Sequence, residues 1–326
     1  ALGGGGLARR HSGAWSLLRR EQPPGTVSEE HTEGEGPLRI QTPGGLFAEV
    51  RIPDGGEPLR QASCGGRLAV VEQGGRLFSV RERTVCFQPP SGEHLQRKVR
   101  LDEGGLTLGE VTHPLKRSSE ACMEAWGRLD DDDTSFAALE LHPDEGEKPG
   151  RAGYWLFAGN RFVRVVGLAR GEGLIAGTYC RSAAELDQLC GAKRVHAELE
   201  KHYDAVQGVL ERPGVLRAQR RSSAHGPQGS QLFYDAVTGV GGEIRLEGGW
   251  VVHQHPDGRR DRWRAVEWGF DPFASAPSAG AAAPVAAAPP PANGTTVRAC
   301  ISGASGGPEP GMGSASKGTP RPPADP

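Results

Sequence analysis

The sequence predicts a mainly β fold, an antiparallel sandwich or barrel, on three observations. Short segments of alternating apolar and polar residues recur at roughly eight- to twelve-residue spacing with glycine- or proline-rich turns between them. Helical periods are missing between those segments, which disfavours a Rossmann-type alternation of strand and helix. The stretch from Ile40 to Pro53 is itself a strand, a turn and a second strand. Leu46, Ala48, Val50 and Ile52 alternate there with Phe47, Glu49 and Arg51, so one face is apolar and the other mixed. Pro43-Gly44-Gly45 supplies the turn, and Pro53 ends the pairing because it has no N–H to give a ladder.

The remaining elements follow in order. Trp15 sits in an opening strand, and Arg67–Glu72 turns at Gln73-Gly74-Gly75 into Arg76–Arg81 as a hairpin. Thr84–Gln88 runs extended into the Pro89-Pro90-Ser91-Gly92 turn. Leu95–Leu101, Leu106–Val111, Met123–Leu129, Ser135–Leu141, Tyr154–Phe157 and Arg161–Val166 continue the series. One amphipathic helix is expected next. Ser182-Ala183-Ala184-Glu185 is a capping box, Leu186, Leu189, Cys190, Leu199, Tyr203, Val206 and Leu210 follow at near-helical spacing, and Pro213-Gly214 stops the run. A weaker β region then holds Leu232–Val237, Glu243–Leu246, Trp250–His253 and Arg262–Trp268.

These elements divide the chain of 326 residues into a flexible arm at 1–12, a β-barrel domain at 13–170, a helix plus a second, smaller β region at 171–273, and a tail at 274–326. Eleven of the 26 prolines fall in that tail among Ala, Gly and Ser, a composition too poor in apolar groups to offset the entropy of ordering, so disorder is expected there. The formal charge of −2 argues against nucleic acid as a partner, since phosphate binding needs a basic field. No apolar run approaches the roughly 20 residues a membrane span requires. The six cysteines lack C-x-x-C spacing and read as free thiols of a reducing compartment. A cytoplasmic location is the expectation. The arginine-rich start, through Arg9, Arg10, Arg19 and Arg20, also fits an organellar protein that has shed a transit peptide, in the matrix or stroma.

Chemistry-bearing motifs are sparse. No G-x-S-x-G elbow occurs and no serine or cysteine can be tied to a histidine, so no catalytic residue and no cofactor is assigned. His253 and His255 place two imidazoles on one strand face, with Asp257 or Asp261 as a carboxylate, the donor types of a zinc or iron site. A surface pair beside a Pro-Asp-Gly turn is the plainer reading, and no metal is assigned. Asp130–Asp133 reads as a solvated hairpin tip and Gly171–Gly177 as a loop. The aromatic residues of the strands would fill a barrel or line a ligand cavity. Arg51, Arg83, Arg128 and Arg164 share those strands, and arginine is seldom buried unless paired; pointing inward, they would line a site for a carboxylate or propionate. The interior ligand site is therefore placed at Phe47, Arg51, Phe87, Trp126, Arg128 and Phe162.

The run Gln41-Thr42-Pro43, then Leu46-Phe47-Ala48-Glu49-Val50-Arg51-Ile52-Pro53, resembles the "LQTP-LFADIRIP" signature of an uncharacterised family of bacterial and eukaryotic proteins, similar in turn to calycin-like proteins. Phe87-Gln88-Pro89-Pro90 resembles its "DFQPP", Glu124-Ala125-Trp126-Gly127-Arg128 its "E-x-W-x-R", and Ala158-Gly159-Asn160-Arg161-Phe162 its "GDRF". The likeness covers about residues 13–170, more loosely to 270. It implies a calycin- or lipocalin-like antiparallel barrel, two β halves bridged by the helix, with no established activity. The chain departs from the pattern at Arg81-Glu82-Arg83 and Cys86, where a Trp-His-Arg and an acid are usual, and at Arg39, where an aromatic is. Two readings follow: a non-catalytic barrel binding a small hydrophobic or anionic ligand, or an interaction or assembly subunit with a filled barrel that engages protein partners.

Overall fold

The structure, a computed structural model, describes residues 11–22, 25–52, 63–86, 96–104, 107–112, 122–129, 134–142, 151–168, 203–222 and 231–274. These hold eighteen strands and no helix, arranged as two nine-stranded antiparallel sheets. The first contains β1 (Gly13–Glu21), β2 (Val27–Glu30), β3 (Leu38–Gln41), β4 (Leu46–Val50), β5 (Cys64–Gln73), β6 (Arg76–Cys86), β7 (Gln96–Gly104), β8 (Thr107–Thr112) and β9 (Cys122–Arg128). Strands β3 to β9 are neighbours in chain order. Strand β1 pairs with β3 on one side and β9 on the other, which closes the sheet into a barrel, with β2 extending it against the end of β1.

The second sheet contains β10 (Phe136–His142), β11 (Arg151–Ala158), β12 (Arg161–Leu168), β13 (Asp204–Arg212), β14 (Val215–Arg221), β15 (Gln231–Asp235), β16 (Glu243–Glu247), β17 (Trp250–Gln254) and β18 (Arg260–Trp268). Strand β10 joins its two runs, pairing with β11 of the run β11–β15 and with β18 of the run β16–β18. The outermost strands β15 and β16 are joined by a turn in which the Asp235 N–H donates to the Val240 carbonyl at 3.0 Å.

The mainly β, antiparallel barrel reading holds, but the internal division differs from the expected one. The sheets part between Arg128 and Phe136, so β10, β11 and β12 belong to the second sheet and not to a domain ending at 170; the second region is as large as the first, with nine strands. Of the expected helix, 169–202 lies outside the described residues, and Tyr203, Val206 and Leu210 lie on or beside strand β13. The cause is two-sided burial: Tyr203 and Ala205 face the first sheet while Val206 and Leu210 face the interior of the second, and a strand covered on both faces loses the two-residue alternation. The arm at 1–10 and the tail beyond Ala274 also lie outside the described residues.

The β3–β4 hairpin forms where expected. Gly45 adopts φ +82°, and its N–H donates to the Thr42 carbonyl at 3.0 Å, which turns the chain and sets Gln41 opposite Phe47 and Arg39 opposite Glu49. Alternation then separates two faces. Leu38, Ile40, Leu46, Ala48, Val50 and Val85 point outward and pack on Ala138, Tyr154, Leu156, Ala158, Val163, Val165 and Ala205 of the second sheet. Polar contacts fix this junction: Gln207 accepts from the Leu38 N–H and donates to the Gly36 carbonyl, both at 3.0 Å, and Glu267 accepts from the Thr42 hydroxyl and the Gly44 N–H. The close approach also requires glycine at position 65, where a Cβ would come within 2.7 Å of the Tyr154 ring.

Candidate interior sites of the two barrels

Because Leu46, Ala48 and Val50 face outward, Phe47, Glu49 and Arg51 face into the first barrel, and register carries the same face around its wall. Trp15 and Leu17 from β1, Arg39 from β3, Cys64, Leu68 and Val70 from β5, and Trp126 from β9 share it. At its centre two glutamates are each shared by arginines. Arg39 donates to Glu49 through Nε at 2.7 Å, and Arg51 Nε donates to the other oxygen of the same carboxylate. Arg51 then clasps Glu124 through both Nη atoms, at 2.9 and 2.8 Å. Arg20 lies 3.8 Å from Glu124, and Trp126 Nε1 donates to that carboxylate at 3.3 Å. The Arg39 guanidinium lies over Trp126, with Cζ 3.7 Å from the ring centroid.

Further arginines line the wall. Arg81 donates to the Ser79 hydroxyl at 3.2 Å, and Arg128 donates to the Ser12 carbonyl at 3.2 Å with its head beside Trp15. Arg83 stands opposite Gly66, its Nε buried with no hydrogen-bond partner among the described residues. The described wall therefore carries six arginines, at 20, 39, 51, 81, 83 and 128, with Glu49 and Glu124 at its centre and Glu29 paired to Arg20 at 3.2 Å. Burial alone would raise the Glu49 carboxyl, but Arg39, Arg51 and Arg81 outweigh it and hold it well below the usual carboxylate range. Burial would likewise lower Arg51, and Glu124 and Glu49 reverse the sign.

The second barrel encloses a different interior. Trp155, fully buried, meets five rings: Phe157, Phe233, His253, Trp263 and Phe273, with centroids 5.0–6.1 Å away. Leu139, Phe162, Leu216, Tyr234, Ile244 and Val251 complete the core. Its single fully buried cation, among the described residues, is Arg164, which donates to Asp204 and, at 3.1 Å, to Asp261. Asp261 also receives Arg151 at 2.9 Å and His255 at 2.8 Å. Burial works against that carboxylate, yet His255, Arg164 and Arg151 hold it far below the ordinary range.

Of the residues placed in one interior site from sequence, Phe47, Arg51, Trp126 and Arg128 come together in the first barrel, whereas Phe162 lies in the core of the second. Phe162 was misplaced because the β10–β12 strands were assigned to the wrong sheet. Phe87 lies outside the described residues. The surface reading of the histidine pair is overturned. His253 is 1% exposed, its Nε2 bonded to the Gly241 carbonyl at 2.8 Å, and its ring lies against His255, tilted by 35° with centroids 3.8 Å apart. Burial, His255 and Arg164 lower its pKa to about 3, so it is neutral. With both Nε2 atoms engaged, no group of three or more His, Cys, Asp or Glu among the described residues is placed to hold a metal. Sequence reasoning passed over Glu49 and Glu124 as the interior acids. The signal for Glu49 was the hairpin itself, since its turn dictates the Arg39–Glu49 opposition.

Comparison with known protein families, with curated proteins and with solved structures found no match for this chain. No helix among the described residues is long and apolar enough to cross a membrane.

Proposed function

We propose that the first barrel is a non-catalytic receptor for a small organic anion, with a carboxylate as the recognised group. The observation that carries this reading is the concentration of guanidinium groups on its described wall, at 20, 39, 51, 81, 83 and 128, with the Arg83 Nε buried and without a hydrogen-bond partner among the described residues. Arginine does not shed its proton to escape burial, so its N–H groups keep their need for acceptors, and a buried donor left unmatched carries a desolvation cost of about 1–3 kcal/mol. An anion that enters the barrel offsets that cost, and guanidinium forks match carboxylates two bonds at a time. Trp15, Phe47, Leu17 and Trp126 offer an apolar complement to the body of such a ligand. Barrels of about eight strands either fill with side chains or hold one small ligand, and the resemblance to calycin-like proteins points the same way. A purely apolar ligand fits this lining less well, because it would desolvate guanidinium groups and return nothing.

The test is a fluorescence titration of the protein with aromatic and tetrapyrrole carboxylates and with their neutral amides, read on the tryptophans. Acids are expected to bind at least ten times more tightly than amides, with affinity falling as salt rises. Equal affinity for acid and amide would sink the anion reading.

The second reading, an assembly subunit, has its support in the second barrel, whose interlocked rings fill the interior. No binding of any acid, with protein partners recovered on the outer strands, would favour it.

A further inference from the structure

Cys64 and Cys86 form the terminal rung of the β5–β6 ladder: β5 begins at Cys64, β6 ends at Cys86, and the register sets them directly opposite. Directly opposed residues of an antiparallel pair have Cα atoms about 4.5–5.5 Å apart and Cβ atoms at a similar spacing. That falls inside the Cα range of about 4.4–6.8 Å for disulfides and meets the upper edge of the Cβ range, about 3.5–4.5 Å. Opposed residues also project to the same side of the sheet, so the two sulfurs share one face. Neither cysteine is in a disulfide, and both are buried, at 3% and 5% exposure. Cys122 gives an internal contrast. It lies on the same barrel, is free and buried, but stands opposite Thr112, and its Sγ accepts from Arg20 Nε at 3.3 Å.

We propose that Cys64 and Cys86 are a modification site that takes a small disulfide of the glutathione class as oxidant and closes into a cross-strand disulfide. One cysteine thiolate attacks a sulfur of the small disulfide; the S–S bond breaks, and one small thiol leaves with the proton that the cysteine gave up. The second cysteine then gives its proton to the departing second small thiolate as its sulfur attacks the protein sulfur of the mixed disulfide. Two protein thiols are oxidised by two electrons, and the small disulfide is reduced to two thiols.

Three features of the site support this chemistry. The Arg83 guanidinium lies close enough to both sulfurs to favour their thiolates. Burial works the other way and pushes the Cys64 thiol up, which keeps that thiol protonated until the rung opens. A terminal rung is also where a ladder frays first, admitting a small reagent that a mid-strand pair would exclude. The assignment depends on the β5–β6 register alone and stands apart from the anion reading.

The experiment treats the reduced full chain with glutathione disulfide, quenches in acid, alkylates remaining thiols in denaturant and maps tryptic peptides by mass. A linked pair of peptides 61–67 and 84–97 is expected, with two fewer alkylated thiols per chain and full reversal by dithiothreitol. In Cys64→Ser, Cys86 is expected to stop at the glutathione adduct, and Cys86→Ser should leave Cys64 in the same state. Oxidant applied in denaturant should lose the preference and join Cys64 to several cysteines. Separate glutathione adducts on Cys64 and Cys86 in the native wild type, two unmodified thiols, or a native link from Cys64 to Cys122 would each overturn the assignment.

Discussion

The two barrels contain the same number of strands and place opposite chemistries inside. In the second, a cluster of rings surrounds one buried guanidinium that two aspartates neutralise, so the interior is both filled and close to electrically balanced. In the first, two glutamates are shared among Arg20, Arg39 and Arg51 on a wall that carries further arginines. Apolar packing is non-directional and stabilises whatever fills the space, whereas an ionic interior is stable only when every charge has a partner. On the proposed reading, the second barrel serves structure and the first recognition. Each prediction below is a way to break or sharpen that contrast.

The largest effect is expected at Trp155. Truncating it to alanine removes contacts with five rings in a space that other side chains cannot refill, and should cost about 3–5 kcal/mol, the usual value for a large aromatic in a packed core. Trp126→Ala should cost less, nearer to about 3 kcal/mol, because its neighbours are the Arg39 and Arg51 guanidinium groups, to which water is a better substitute partner than to a ring. Urea denaturation of both variants measures the difference. A larger loss at Trp126 would mean that the first barrel is the packed one.

Glu49→Gln comes next. The change keeps the shape of the side chain but leaves Arg39, fully buried, and Arg51 without their shared counter-charge. A loss of about 3 kcal/mol is expected in the same urea assay, the lower range for removing one partner of a buried ion pair. A neutral outcome would show that the arginines of the first barrel find other partners with ease, and would weaken the case for a ligand that completes them.

The register that decides these effects was partly legible in the sequence. Pro43-Gly44-Gly45 between alternating runs identified the β3–β4 hairpin, and the face containing Phe47, Glu49 and Arg51 followed from strand geometry. Division of the chain into two sheets was not legible. It depends on β1 pairing with β9, Trp15 against Arg128, a contact between segments more than a hundred residues apart that no local pattern encodes. The helix expectation failed at its end for a related reason, since β13 is buried against two different partners and its apolar residues satisfy either period. The depth of His253 was hidden as well. A His-Gln-His run beside a Pro-Asp-Gly turn reads as surface until Trp155, Tyr234 and the Gly241 carbonyl arrive from other strands to enclose it.

That enclosure makes the second barrel sensitive to acid in a defined window. The folded pKa of His253, about 3, is below its ordinary 6.5, so the unfolded chain binds a proton that the folded chain refuses. Stability is thus fully present above about pH 6.5 and is lost as pH falls toward 3, with a slope of about 1.4 kcal/mol per pH unit between those values. His255, also lowered by burial, acts in the same direction, while the contribution of Glu49 is fully present above its unfolded value of 4.5 and is lost only as pH falls below it. Urea midpoints of wild type and His253→Phe compared from pH 7 to pH 5 isolate the term: the variant should show the shallower slope. Parallel slopes would mean that the imidazole charges without unfolding the barrel.

The smallest effect on stability, and the sharpest on function, is expected at Arg83. Removing a buried charge usually costs because it strands a partner, but Arg83 forms no ion pair with a described carboxylate, and its Nε is buried without an acceptor. Burial disfavours the Arg83 charge, but Cys64, Cys86 and Glu49 outweigh it, and Arg83→Gln breaks no direct ion pair among the described residues, so its urea midpoint should stay within error of wild type. Arg164→Met in the second barrel is the mirror case and should destabilise clearly, because Asp204 loses its closest cation and Asp261 one of its three partners. Binding separates the barrels a second time. Arg83→Gln should weaken carboxylate affinity about tenfold, on the scale of 1.4 kcal/mol, with the neutral amides unaffected, while His253→Phe should leave it unchanged. An Arg83→Gln protein that is as destabilised as Arg164→Met would show that the first interior is balanced like the second, and the proposed division of labour between the barrels would fail.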